Sequence, residues 1–223
     1  MPSKLESQIE SAEEEWLNYW KQGPARIRWT RIPLQVGDKA PDFELENTGG
    51  QPVHLHDAWK DKPALLLFWR YYGCSCGIDR AKRLQNEYPD YMKLGANVVV
   101  IGQAEPERSA AYAQKHNLPC PVLCDPTRKV YEAYDLLEGK PSQIFFDASD
   151  EFLQCKLEAG ANLQASRRGT DRAAVDDPWQ LPGEFVVDKT GVIRLAYRYQ
   201  YCEDWPNPLL LIAGIKEALW DSK

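Results

Sequence analysis

Long hydrophobic runs are absent from this chain. The longest late apolar stretch, Leu209 to Ala213, is far too short to span a bilayer. The N-terminal segment MPSKLESQIESAEEEW holds no apolar block of the signal-peptide kind, so the expectation is a soluble, cytoplasmic protein. Excess positive charge is missing too. Lys and Arg number 27 against 33 Asp and Glu, for a formal net charge of −6 and a pI near 5.2. That balance gives no general attraction for nucleic acid or anionic membranes, and no basic stripe argues otherwise. There is no Gly-rich phosphate loop, no Ser-His-Asp signature, no internal repeat and no low-complexity tract. Of the 3 His, only His54 and His56 stand close together. Without a third ligand nearby, that pair reads as an exposed polar strand face, and no metal or other cofactor is expected.

What the chain does have is core-forming material. Its 223 residues are 43% apolar, with 8 Trp, which suits one aromatic-rich domain with additions. The 6 Cys in a chain read as unexported do not suggest a disulfide scaffold. Closely spaced Cys in that setting read as redox-active or metal-binding.

Periodicity orders the chain. Leu5, Ile9, Ala12, Trp16 and Trp20 recur at helical steps, Ser3 with Glu6 has capping-box spacing, and Gly23-Pro24 ends the run. This helix over 3–21 reads as a packing extension, with a dimerisation arm as the alternative. A hairpin is expected from Phe43 to Leu55 across Gly49-Gly50. Residues 64–69 (ALLLFW) and 97–101 (NVVVI) read as strands buried on both faces, with a helix from about Ser75 to Met92 between them. A helix over 105–117, a strand at Pro121-Val122-Leu123 and a helix over 127–134 follow. Residues 136–181 mix Ser, Asp, Gly and Arg with weak periodicity and read as an insertion, with a helix near 152–157. Strands over 184–188 and 192–199 then flank a Lys189-Thr190-Gly191 turn, and a helix runs from about Pro208 to Trp220. This order predicts an α/β fold with a central mixed sheet flanked by helices. The expected organisation is an N-terminal helical extension over 1–36 and a domain over 37–223.

The chemically informative segment is Phe68-Trp69-Arg70-Tyr71-Tyr72-Gly73-Cys74-Ser75-Cys76-Gly77. A buried strand ends, a short loop follows, and a helix begins at the Cys pair. The first N–H groups of a helix have no partners within it and carry partial positive charge. A cysteine placed there is favoured as thiolate, the nucleophilic form. Arg70 and Arg80 are the nearest cations in sequence. The alternative is that both Cys are small buried apolar residues.

Several segments carry a family resemblance. Gly37 to Leu45 (GDKAPDFEL), Arg70-Tyr71-Tyr72-Gly73-Cys74, Gly95 to Gly102, Leu118 to Pro126 and Gln180 to Asp188 resemble, in order and spacing, the peroxiredoxin-like branch of the alkyl hydroperoxide reductase/thiol-specific antioxidant superfamily. The similarity covers about residues 37 to 219 and implies a thioredoxin-like fold. It implies a thiol-dependent oxidoreductase acting on disulfide or peroxide substrates, with Cys74 attacking and Cys76 resolving. Arg70, Tyr71, Tyr72, Gly73 and Pro182 would support the pair. A thioredoxin-like protein or a low-molecular-weight thiol would restore it, and a homodimer is open.

The chain also departs from the pattern. The branch usually places two residues between its Cys, and here Ser75 stands alone between Cys74 and Cys76. A disulfide across that gap closes a very small ring, expected to be strained and easily reduced. Peroxiredoxins carry Thr or Ser three residues before the attacking Cys, where this chain has Tyr71. They carry Arg three residues before the aromatic of the penultimate strand, where this chain has Pro182. With two usual polar donors missing, a modest oxidoreductase is expected in place of a fast peroxidase. Leu181-Pro182 resembles instead the cis-proline that packs on the cysteine pair in thioredoxins. A non-catalytic redox sensor or interaction module on the same fold is the alternative function.

The remaining cysteines are less informative. Cys120 and Cys124 flank a short strand with period-two spacing. They read as small buried residues, with resolving thiols or half of a zinc site alongside Cys74 and Cys76 as alternatives. Cys155 and Cys202 could each be a distant resolving thiol, and nothing in the sequence selects one.

Overall fold

The computed structural model describes residues 22–72, 74–144 and 176–220. The expected helices over 3–21 and 152–157, and the residues Gly73 and Cys155, lie outside them. Strands β1 (Glu44–Asn47) and β2 (Pro52–His54) form the expected hairpin, followed by a 3-10 turn over Leu55–Ala58. Then come β3 (Ala64–Phe68), α1 (Ser75–Lys93), β4 (Asn97–Gly102), α2 (Pro106–Lys115), β5 (Val122–Cys124) and α3 (Lys129–Ala133). Helix α4 (Pro141–Ile144) precedes β6 (Gly183–Val187), β7 (Ile193–Arg198) and α5 (Pro208–Trp220).

The strands form one mixed sheet in the order β2-β1-β5-β4-β3-β6-β7. β3 lies inside it, parallel to β4 with Phe68 opposite Ile101, and antiparallel to β6 with Phe68 opposite Gly183. Every residue of β3 is buried, as its unbroken apolar run requires. Alternation sends its side chains to two cores. Leu66 and Phe68 join Ile101, Phe185, Tyr131 and Tyr134 on one face. Leu65 and Leu67 join Val100, Leu84 of α1, and Leu211 and Ile215 of α5 on the other. Burying each such side chain contributes about 1.5–3 kcal/mol, so a charge placed on either face of β3 would not be tolerated. β3 therefore lies between two packed layers, and Cys74 follows beyond its carboxyl end, at the start of α1.

Two expectations need correction. His54 ends β2 but His56 sits in the 3-10 turn, so the two share no strand face. His54 instead lies exposed beside Asp42 and Glu44, at 3.8 and 3.7 Å. No peptide bond among the described residues is cis, so Leu181-Pro182 takes the ordinary trans form. That segment is held by backbone bonds at both ends, Leu181 N–H to Leu137 O at 3.0 Å and Tyr199 N–H to Pro182 O at 3.2 Å. The described ends of the 136–181 stretch are packed into the fold. Trp179, Gln180 and Leu181 are buried, and Glu138 bridges to Gln180. Arg26 bonds to them, its N–H donating to Glu138 Oε2 at 3.2 Å and its Nη2 to Gln180 Oε1 at 2.9 Å, while Trp29 Nε1 donates to Asp135 O and Arg31 pairs with the Asp135 carboxylate, each at 2.8 Å.

Candidate functional site

Cys74 is the N-cap of α1, in extended backbone conformation. Its sulfur accepts a hydrogen bond from the Cys76 N–H at 3.3 Å, using one of the helix's unpaired donors. Cys76 sits in the first turn, and the two sulfurs form a disulfide across a Cα–Cα distance of 5.2 Å. Both residues are buried, packed with Tyr71, Cys202 and the half-buried Trp205.

Arg70 lies against them and is itself buried. Its Nη1 is 2.8 Å from Cys74 Sγ and 3.8 Å from Cys76 Sγ, so it favours Cys74. Its Nη2 donates to Pro178 O, which fixes the guanidinium from the far side. The Tyr71 ring stacks under it with 4.9 Å from guanidinium carbon to ring centre. The other side chains that could serve as donors point elsewhere. Tyr72 donates its hydroxyl to Ser109 at 3.2 Å, and Trp69 Nε1 donates to the Tyr112 hydroxyl at 3.1 Å. Tyr72 and Tyr112 stack at 4.0 Å. Gly102 permits this, because a Cβ there would overlap the Tyr72 hydroxyl.

Residues 176–178 hold the loop in place from outside. Asp176 accepts from the Tyr72 N–H at 2.8 Å and pairs with Arg108; Asp177 pairs with Arg128 and accepts from the Trp179 N–H at 2.8 Å. Burial raises the Asp177 carboxyl above its ordinary range, against the pull of Arg128.

Behind Cys76 lies a small cavity lined by Cys76, Arg80, Pro182, Glu184, Tyr199 and Cys202, among others. Arg80 does not reach the sulfurs as a thiolate partner. It pairs with Glu184 and Glu87, each at 2.9 Å, and Tyr199 donates to Glu184 Oε1 at 2.6 Å. Burial works against the Arg80 charge, but the two carboxylates outweigh it and hold the guanidinium protonated. Glu184 Oε2 is buried and accepts no hydrogen bond among the described residues.

The remaining thiols differ. Cys120 and Cys124 are apart from the pair and not in disulfides. Burial pushes the Cys120 thiol up to about 12 and raises Cys124 as well, so both stay protonated and inert at neutral pH. No group of three or more potential metal ligands occurs among the described residues. Of the expected site, Arg70, Tyr71, Cys74, Cys76 and Pro182 come together, Tyr72 turns to Ser109, and Gly73 lies outside the described residues. The sequence did not reveal Pro178 O, Asp176, Glu184 or Tyr199. Only Glu184 carried a signal, as a charge inside the apolar strand EFVVD.

Comparison with known proteins identifies the family and the fold. A chloroplastic peroxiredoxin Q from Sedum lineare is 28% identical over 208 residues, 90% of each chain. The thiol-disulfide oxidoreductase ResA of Geobacillus kaustophilus is 31% identical over 126 residues, 56% of this chain and 70% of that one. The crystal structure of peroxidoxin BcpB from Mycobacterium tuberculosis superposes with a TM-score of 0.55 at 16% identity, over 84% of this chain and 95% of that one. Peroxiredoxin 6 of Arenicola marina does so with a TM-score of 0.61 at 13% identity, over 85% and 76%. These likenesses show the thioredoxin-like peroxiredoxin fold. The AhpC/TSA family model matches residues 36–196, from before β1 into β7, and the chain belongs to the AhpC/TSA family.

Proposed function

We propose that the protein is a thiol-based oxidoreductase in which Cys74 is the attacking thiolate and Cys76 the resolving thiol. The observation that carries this is Arg70 Nη1 at 2.8 Å from Cys74 Sγ, on a sulfur that also caps a helix and is bonded to Cys76. A cation and a helix N-terminus together favour the Cys74 thiolate. In the reduced protein, Cys74 attacks a substrate sulfur or peroxide oxygen. The product is a mixed disulfide or a sulfenic acid. Cys76 then displaces the substrate thiol or hydroxide and closes the disulfide. An external thiol, thioredoxin-like or small, reopens it. Recycling by such thiols fits a reducing compartment such as the cytoplasm.

Disulfide exchange is favoured over fast peroxide reduction. Peroxide cleavage needs donors aimed at the departing oxygen, each worth about 2.7–4 kcal/mol of barrier. Arg70 is the donor at Cys74, while the Tyr72 hydroxyl and Trp69 Nε1 are bonded to Ser109 and Tyr112. The peroxide reading draws support from the peroxiredoxins among the relatives. Measuring peroxide consumption and disulfide reduction side by side separates the two. Both are expected to vanish in Cys74→Ser, with disulfide reduction the faster in the unmodified protein. Rapid peroxide turnover that survives Cys76→Ser would overturn the preference, and activity surviving Cys74→Ser would overturn the whole reading.

A further inference from the structure

Cys202 lies in the turn between β7 and α5, far in sequence from the cysteine pair, yet it packs in the same buried cluster as Cys74 and Cys76. It also lines the cavity that Cys76 lines. Cys74 does not line that cavity, although Arg70, which holds its sulfur, does. Backbone bonds fix the turn, with Cys202 N–H to Gln143 O at 3.0 Å, and the thiol donates to Ile144 O at 3.3 Å. Three sulfurs thus share one buried cluster: Cys74 held by Arg70, its disulfide partner Cys76, and the Cys202 thiol.

We propose that Cys202 is a second resolving thiol, which takes the disulfide over from Cys74. This rests on the reading of Cys74 as attacking thiolate. The Cys202 thiolate attacks Cys76 Sγ. The Cys76–Cys202 bond forms, the Cys74–Cys76 bond breaks, and its electron pair leaves with Cys74 as thiolate. The Cys202 proton is released to solvent by way of the shared cavity, whose volume of about 20 Å³ admits one water. No outside oxidant or reductant is needed, because one disulfide replaces another. The direction follows from the leaving group. Exchange is faster when the departing sulfur is stabilised as thiolate, and Arg70 and the helix N-terminus stabilise Cys74. The exchange frees Cys74 for a second attack while the disulfide is held at Cys76–Cys202.

Peptide mapping tests this. The full-length chain is oxidised with diamide, quenched in acid, blocked with N-ethylmaleimide and digested with trypsin. Residues 71–80 and 199–216 then fall in separate peptides. Oxidised wild type is expected to show both the internal Cys74–Cys76 disulfide and 71–80 linked to 199–216 with Cys74 alkylated. In Cys74→Ser the linked peptide becomes the dominant species, and two thiols are lost on oxidation. In Cys202→Ala the linked peptide disappears and the internal disulfide alone remains. Absence of the linked peptide in wild type overturns the proposal without help from any variant. So does a Cys74→Ser protein whose Cys76 stays alkylatable or pairs with Cys120 or Cys155. Neither result bears on whether Cys74 carries the activity, which the Cys74→Ser assays decide.

Discussion

Arg70 decides the character of Cys74 more than any other single residue. A hydrogen bond from a charged group contributes about 1.5–3 kcal/mol. Its guanidinium sits on that sulfur and is clamped by Pro178 O and the Tyr71 ring. Arg70→Met, after reduction of the disulfide, is expected to slow alkylation of Cys74 at neutral pH by about 10- to 100-fold. Arg70→Lys should recover part of this, since it keeps the charge but loses the fork. Stopped-flow alkylation of the reduced variants checks it, and an unchanged rate in Arg70→Met would remove Arg70 from the site. The other cysteines supply the contrast. With its thiol near 12, Cys120 is about one part in 10⁴ thiolate at pH 8. Limiting maleimide added to the reduced protein at pH 8 is therefore expected to label Cys74 first, and Cys120 and Cys124 only after unfolding, as peptide mapping would reveal. Early labelling at Cys120 would contradict the buried position assigned to it.

At the scale of elements, β3, α1 and β4 were legible because each carries one unambiguous pattern. Two unbroken apolar runs require strands buried on both faces, and the spacing of Ala81, Leu84 and Tyr88 requires a helix between them. That placement puts Cys74 at a helix start and Arg70 beside it, so the core of the site could be read from adjacent residues. The rest of the site comes from distant segments without periodicity. Residues 176–178 reach Arg70 and Tyr72 from a polar loop, and Cys202 arrives on a turn after β7. No local pattern encodes such encounters. Beneath α1, Arg80 ties the helix to β6 through Glu184 and to its own next turns through Glu87. Breaking a buried ion pair on one side leaves the partner charge stranded and costs about 3–5 kcal/mol. Arg80→Met is expected to lower stability by that amount in urea unfolding, and Arg80→Met/Glu184→Met to regain a good part of it. A loss in the double variant equal to the sum of the Arg80→Met and Glu184→Met losses would mean that the charges are not coupled.

For the molecule as a whole, the placement of the disulfide separates chemistry from stability. The sheet is closed by two apolar cores, which lie on both sides of β3 and owe nothing to Cys74 and Cys76 in their packing. Neither exported-type disulfide staples nor a metal is needed to account for the fold, which is why its class could be read from composition and periodicity. The cysteine pair sits at the edge of those cores, in a cluster of its own. Cys74 and Cys76 are separated by 2 positions in sequence, so their bond closes one of the smallest loops a chain can form. In the chain-entropy account, closing a loop of about three residues restricts the unfolded state by only about 1.6 kcal/mol at 25 °C. In a chain of this size, 1 kcal/mol moves the unfolding temperature by about 2–4 °C. Reduction of the pair is therefore expected to lower Tm by no more than about 6 °C, with the unfolding transition otherwise unchanged. Calorimetry with and without a phosphine reductant gives the number. The outcome also reports on the third thiol, because a bond from Cys76 to Cys202 closes a loop of more than a hundred residues, worth about 4.7 kcal/mol in the same account. A protein oxidised and held as Cys76–Cys202, as in Cys74→Ser, should then lose about 10–19 °C on reduction. If oxidised wild type itself falls by that larger amount, the long-range disulfide is its dominant form, and a drop below a few degrees in both proteins would mean that no long-range disulfide forms.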